Sequence, residues 1–246
     1  MALHVIKLDA TDSTNAYLRR LLPSNMLDDY TIVTAREQTK GRGQMGTTWQ
    51  SEVGKNLTFS VLRANLKWPI HQGFVLNLCV SLAVHSVLKQ LRIPDLSIKW
   101  PNDILSGSSK LCGILIENKI AGSTINSSII GIGLNVNQTD FGPELQHVSS
   151  LRLVMDRIFD LDGMLQDVVE KLQSVFSSLE TDGPDALWKT YEKHLFRKGM
   201  LSTFEDSDGE FFEGRIKGVT REGKLSIASE DAGTRDFALK EVKLLY

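Results

Sequence analysis

The sequence predicts an α+β protein: a strand-rich region with helices packed against it, followed by a small β module. Three observations predict it. Short β-branched and apolar segments recur through the chain as far as Val136, the segment around 74–91 is apolar on most sides, and the texture after Lys198 changes to short alternating runs between glycine turns. At 246 residues the chain has room for one large domain with a satellite, but not for three.

Taken in order, Leu3 to Leu8 reads as a strand, and Asp12-Ser13-Thr14-Asn15 supplies capping side chains for a helix from Ala16 to Leu22. Thr31 to Ala35 is a second strand, a glycine-rich stretch runs from Gly41 to Gly46, and Asn56 to Leu62 is a third strand. Phe74 to Leu91 is the long helix, apolar all round because it is buried. Ser97 to Trp100 is a short strand stopped by Pro101, and Leu111 to Glu117 and Ser128 to Val136 are two more. Leu165, Val168, Val169, Leu172, Val175, Phe176 and Leu179 recur at helical spacing behind Asp162, and a further helix runs from about Asp185 to Phe196. The runs MLSTF, GEFFEGRIKGV, GKLSIAS and TRDFAL then predict an antiparallel SH3-like barrel. The domain boundary is expected at residue 197, giving units 1–197 and 198–246.

Composition excludes several classes. With 41% hydrophobic and 24% charged residues the chain is neither disordered nor fibrous. Lys and Arg number 28 against 30 Asp and Glu, so there is no basic surplus for coating nucleic acid. Two cysteines, Cys79 and Cys112, preclude a disulfide scaffold or a zinc site built on cysteine pairs. The five histidines lack metal-ligand spacing. The start, Met1 to Asp9, has no leader or anchor pattern. A cytoplasmic protein with no membrane partner and no bound redox cofactor is expected.

Gly41-Arg42-Gly43-Gln44-Met45-Gly46 spells G-x-G-x-x-G, but a strand follows where a dinucleotide loop would open a helix. A P-loop fails too, because Thr47-Thr48 stands where Lys and Ser/Thr are needed. Asp140-Phe141-Gly142 spells a kinase metal motif, yet no His-Arg-Asp and no strand lysine accompany it. What remains is either a hairpin tip or an anion site whose glycines admit a ligand to backbone N–H groups, with Arg42 as its charged fork. Lys99-Trp100-Pro101-Asn102-Asp103 is a proline turn at a strand end. Lys99 there can hold phosphate, and Asp103 can hold Mg²⁺ or accept a proton from a nucleophile. Lys110 leaves a flexible Ser106-Gly107-Ser108-Ser109 run, from which it can swing over a leaving pyrophosphate or simply meet solvent. Gly113, Gly131 and Gly133 mark strand positions where a ligand or another backbone comes close. Ser13, Thr14, Asn15 and Gln38 offer more polar groups than a cap requires, enough for a neutral, hydrogen-bond-rich head group. Asn135 and Asn137 close the following strand.

In this order and spacing, Asp12-Ser-Thr-Asn15, Gln38 with Gly41-Arg-Gly43 and Trp49, Lys99-Trp-Pro-Asn-Asp-Ile104, Lys110-Leu-Cys-Gly-Ile-Leu-Ile-Glu117 and Gly131-Ile-Gly-Leu-Asn-Val-Asn137 resemble the biotin protein ligase family. The resemblance covers roughly residues 8 to 155. It implies a mixed β-sheet with packed helices, the class II aminoacyl-tRNA synthetase/biotin ligase-like catalytic fold, in front of the SH3-like module. It also implies a two-step acyl transfer. Biotin's carboxylate attacks the α-phosphate of MgATP, and a lysine of a biotin carboxyl carrier protein then takes the biotinyl group. By resemblance, Ser13, Thr14, Asn15, Gln38, Gly41, Arg42, Gly43, Lys110, Gly113, Gly131 and Gly133 bind biotin. Arg42, Gln44, Trp49, Lys99, Asn102, Lys110 and Asn135 bind the adenylate. Arg42, Lys110 and Asp103 carry the chemistry, with Asp103 also the Mg²⁺ ligand.

The family's glycine loop reads Gly-Arg-Gly-Arg-x-Gly-Arg-x-Trp, whereas Gln44 and Thr47 stand at its second and third arginine positions. The resemblance then implies a biotinyl-AMP held less firmly than in relatives, or another basic residue that compensates. The residues ahead of Ser13 are too few for a winged helix, so neither that domain nor operator binding is expected. A monomer and a homodimer fit the sequence equally. The alternatives are a lipoate or octanoate ligase or transferase, whose Arg-Arg-x-Ser-Gly-Gly-Gly segment is absent, and a non-catalytic biotinyl-AMP sensor.

Overall fold

The computed structural model describes residues 3–22, 27–143, 145–230 and 232–246. The main sheet takes β1 (Val5–Thr11), β2 (Ile32–Gln38), β3 (Leu57–Arg63), β4 (Trp68–Pro69), β5 (Leu96–Lys99), β6 (Asp103–Ser106), β7 (Ser109–Ala121) and β8 (Thr124–Leu134). Their order is β1-β2-β3-β8-β7-β6-β5, with the short β4 against β8. Only the β1–β2 pairing is parallel, so the sheet is mixed, as expected.

Period-two alternation gives this sheet two distinct faces. Leu57, Phe59 and Val61 of β3, with Ile130, Ile132 and Leu134 of β8, join the large core. That core is filled by α2 (Phe74–Gln90), which has buried residues on every side, and it is closed by α4 (Leu161–Asp182) and α5 (Asp185–Lys193). Ile70–Gln90 is long and apolar enough to cross a membrane, and here its apolar surface is packed into the core. On the opposite face Val33, Leu62 and Ile129 meet Leu18 of α1 (Thr14–Leu21), a smaller cluster. Helix α1 covers only part of that face, which leaves Gly131, Gly133, Gly113, Leu115 and Glu117 for the site.

Beyond α3 (Leu151–Met155), a short helix the sequence reading lacks, the chain passes through α4 and α5 to a second sheet. It contains β9 (Leu201–Asp206), β10 (Phe211–Val219), β11 (Leu225–Ser229), β12 (Gly233–Phe237) and β13 (Val242–Leu245), antiparallel in the order β12-β11-β10-β9-β13. This is the SH3-like element, with one strand more than the four runs suggested.

Two local expectations need correcting. The helix expected to reach Phe196 ends at Lys193, because His194 O accepts from Ile98 N–H (2.8 Å) and Phe196 N–H donates to Ile98 O (2.8 Å). The edge of β5 captures the chain as an extended segment and hands it to the second sheet. The Ser106–Ser109 run is a tight turn between paired strands, with Gly107 at φ 57° and Ser106 opposite Ser109. Lys110 therefore lies in β7, its N–H bonded to His147 O (2.8 Å) and its carbonyl to Ser149 N–H (3.0 Å). Its backbone is held on both sides, which leaves the side chain to reach a ligand.

Candidate active site

A cavity of about 700 Å³ opens between the uncovered face of the main sheet and the edge of the second sheet. Every expected site residue lines it except Gly41 and Asn135. Asn135 is buried, with Nδ2 donating to Ser149 O (3.1 Å). Gly41 lines a separate recess behind the glycine loop.

One end of the cavity is a polar cradle at the start of α1. Ser13 caps the helix by accepting from Ala16 N–H (3.2 Å), and Asp12 accepts from Ser13 N–H (2.8 Å). The Arg20 side chain holds the Asp12 carboxyl well below the usual carboxylate range. Thr14 N–H donates to Gln38 Oε1 (2.8 Å). Behind them lies Ser60, fully buried in β3, with its hydroxyl donating to Asn15 Oδ1 (2.5 Å) and 2.7 Å from Thr14 Oγ1. Asn15 Nδ2 donates to Glu117 Oε2 (2.9 Å) and Leu115 O (3.3 Å). The Asn15 amide is thus engaged by protein at both ends. It lines the cavity together with Ser13, Thr14 and Gln38.

The glycine loop is a closed hairpin rather than an open nest of N–H groups. Gly43 N–H donates to Thr47 O (2.7 Å), Trp49 N–H to Gly41 O (3.0 Å), and Thr47 Oγ1 to Gln44 O (2.9 Å). A Cβ at Gly41 would lie 2.2 Å from Trp49 O, and one at Gly43 would lie 2.4 Å from Thr47 Oγ1. These glycines serve the loop's own close crossing, so the hairpin itself requires them. Arg42 is the loop's charged contribution. Its guanidinium lies 3.5 Å from Glu117, which also pairs with Arg19.

The loop delivers Trp49 onto bare backbone. Gly113 and Gly133 are register partners on β7 and β8, and a Cβ on Gly133 would sit 2.5 Å from the indole. Trp49 Nε1 is buried without a hydrogen-bond partner among the described residues. Beyond it, Lys110 Nζ lies 2.7 Å from Asp103 Oδ1 and 5.7 Å from the indole centroid. Asn102 donates to Ile114 O, so it anchors the turn to β7. The turn is also held from outside the sheet, by Tyr191 Oη donating to Pro101 O (2.8 Å) and Trp100 Nε1 to Gly223 O (2.9 Å). Cys112 is fully buried, and burial pushes its thiol up, the opposite of a nucleophile's environment. Among the described residues, no group of three or more His, Cys, Asp and Glu can hold a metal ion.

The second sheet supplies wall residues absent from the sequence reading: Leu239, Lys240, Val242, Lys243 and Leu244. Ser60 and Glu117 were also unassigned there. The signal for Ser60 was a hydroxyl two positions after Thr58, alternating with apolar residues in the same strand; for Glu117, an acid facing the same side as Gly113 and Leu115.

Residues 8–135 match the model of the biotin/lipoate A/B protein ligase family. The chain is 30% identical over 235 residues to the bifunctional ligase/repressor BirA of Bacillus subtilis, covering 94% of this chain and 71% of that protein. It is 36% identical over 131 residues to the biotin–[acetyl-CoA-carboxylase] ligase of Paracoccus denitrificans, covering 52% and 53%. The biotin protein ligase from Aquifex aeolicus in complex with biotin and ATP superposes with a TM-score of 0.80 at 24% identity, over 98% of both chains.

Proposed function

The chain belongs to the biotin/lipoate A/B protein ligase family, and from that premise we propose that it is a biotin protein ligase whose two half-reactions share the cavity between the sheets. The observation that carries this reading is the convergence of a neutral polar cradle with Arg42, Lys99, Lys110 and Asp103 in one space.

In the first half-reaction a carboxylate oxygen of biotin attacks the α-phosphorus of MgATP, and the bond to the pyrophosphate oxygen breaks. The cradle of Ser13, Thr14 and Gln38 holds the ureido ring, oriented from behind by Asn15 and Ser60. Arg42 and Lys110 bring the carboxylate and α-phosphate together and offset the charge that grows on the phosphorus oxygens. Both cations wait on carboxylates, Glu117 and Asp103, so substrate anions replace an internal counter-ion rather than meeting an unpaired charge. A Mg²⁺ carried by the nucleotide phosphates would need only one or two carboxylates from protein and would offset phosphate charge there. Asp103 is the carboxylate that lines this cavity, which suits that task. Trp49 covers the adenylate and limits its hydrolysis. In the second half-reaction the amine of an acceptor lysine attacks the acyl carbon, AMP leaves, and Asp103 accepts the amine's proton. The acceptor is a biotin carboxyl carrier protein. We assign residues 1–197 to the ligand-binding unit and 198–246 to the SH3-like unit.

ATP–pyrophosphate exchange by the purified chain with Mg²⁺ tests this reading, with biotin, octanoate and lipoate compared as the acid. Exchange with biotin alone is the expected result. Exchange with octanoate or lipoate instead would move the chain to the lipoate side of its family, and no exchange would favour a sensor that binds without adenylating.

A further inference from the structure

The cations around the cavity are held in different ways. Arg42 is paired with Glu117 at 3.5 Å, Lys110 with Asp103 at 2.7 Å, and Lys243 with Glu205 at 3.1 Å. Lys99 makes no ion pair among the described residues. Its ammonium donates to the hydroxyl of Tyr246 (3.2 Å) and lies 4.5 Å from the centre of the same ring. A phenol orients an ammonium through its oxygen and its π-face without cancelling the charge. Asp103 is its register partner across β5 and β6, but that carboxylate is paired with Lys110, so Lys99 meets an incoming anion with no ion pair of its own to break.

Tyr246 is itself fixed. Its ring packs edge-on against Phe196 (5.0 Å) and beside His147 (5.4 Å). Phe196 belongs to the segment pinned to β5, the strand that ends in Lys99. The His147 carbonyl accepts from Lys110 N–H at 2.8 Å. One aromatic cluster, whose tyrosine follows β13 of the second sheet, thus sets the side chain of one cavity lysine and abuts the backbone of the other. Asp103, close to Lys110, keeps that second lysine's charge largely balanced.

We propose that Tyr246 is a positioning residue for adenylation: it aims a Lys99 ammonium that makes no ion pair among the described residues at the polyphosphate end of the nucleotide, the group that departs as pyrophosphate. This rests on the ligase reading above and adds to it a contribution from the second sheet. It also gives a source of positive charge for a cavity wall where Gln44 and Thr47 carry none.

The test uses the full chain with Tyr246→Phe, Tyr246→Ala, Lys99→Met and the Tyr246→Phe/Lys99→Met double variant. Inorganic tripolyphosphate with Mg²⁺ is titrated by calorimetry, and exchange is measured with biotin. Tyr246→Phe, which keeps the ring and loses the acceptor, is expected to weaken tripolyphosphate binding and raise KM for ATP about fivefold, the effect of one hydrogen bond. Tyr246→Ala should exceed that, with KM for biotin unchanged in both. On the Lys99→Met background Tyr246→Phe should cost nothing more, a non-additivity that a merely structural tyrosine would not produce. Unchanged tripolyphosphate binding in both tyrosine variants, or fully additive losses, would overturn the proposal. Tripolyphosphate binding is read without catalysis, so a chain that exchanges with no acid would sink the ligase reading while still deciding the role of Tyr246.

Discussion

Gly131 has no room for a side chain, since a Cβ there would stand 2.5 Å from Asn15 Oδ1, the atom that accepts from Ser60. Asn15 cannot yield easily, because its other end is held by Glu117 and Leu115. Gly131→Ala should therefore displace the cradle, and with it Thr14 and Gln38, while leaving the phosphate end of the cavity in place. Overpacking of this kind costs about 1–3 kcal/mol, so KM for biotin should rise roughly tenfold or more, with KM for ATP changed far less. Steady-state exchange kinetics decide it, and equal effects on both substrates would show that the cradle and the phosphate end are not separable. At this scale most of the cavity lining was legible, because residues such as Thr14, Lys99 and Gly133 are polar or small where strands and helices call for neither. Ser60 and Glu117 were not. Their importance comes from which strand face they share with Asn15, and that register is fixed only when β3 and β7 pair with β8.

Among the elements, α2 was legible from its apolar run, but the polar group it buries was not given a role. His85 is buried on this helix, its ring 4.2 Å from that of His194, which follows α5. Burial, then the neighbouring His194 and Lys89, lower its pKa from an ordinary 6.5 to about 4. His194 is lowered as well, by burial and then by Lys89 and Lys193. The hydrogen bond to the Leu96 backbone acts on His85 in the opposite direction. Between pH 6.5 and 4 the unfolded chain binds a proton at residue 85 that the folded chain refuses. Stability from this group is thus complete above the unfolded pKa and lost as pH falls toward 4, by roughly 2–3 kcal/mol in all. Urea midpoints from pH 7 to 4 should fall for the native chain and fall less steeply for His85→Leu; parallel curves would place the acid sensitivity elsewhere. The short elements escaped the sequence for a different reason. β6 and β13 span four residues each, and α3 spans five, too few to establish a period. β6 also lies between Pro101 and Gly107, where turn signals dominate the reading. Its strand character comes from pairing with both β5 and β7.

At the scale of the whole molecule, the change of texture after Lys198 was legible, but the wall that the second sheet lends to the cavity was not. Alternation within a strand says nothing about which sheet lies beside it. The structure joins the sheets through one continuous core, in which Phe204, Ile216, Leu225 and Ile227 belong with α2 and the main sheet. Phe74 is the hinge pin of that union. Its ring lies 5.8 Å from both Trp188 and Tyr191 of α5, and it occupies the space above Gly223, where a Cβ would approach within 2.4 Å. Trp188 Nε1 donates to Val219 O (3.0 Å), and Val219 N–H donates to Glu192 (3.0 Å). With the core shared in this way, the two sheets should unfold together. Urea unfolding followed by far-ultraviolet circular dichroism and by tryptophan fluorescence should give one coincident transition. Phe74→Ala should lower stability by about 3–5 kcal/mol, as for other buried aromatic truncations, and lower both signals in step. Two separated transitions in the native chain, or a Phe74→Ala variant that loses only the second sheet's signal, would show that the sheets are independent folding units and that the cavity between them is made by docking rather than by a common core.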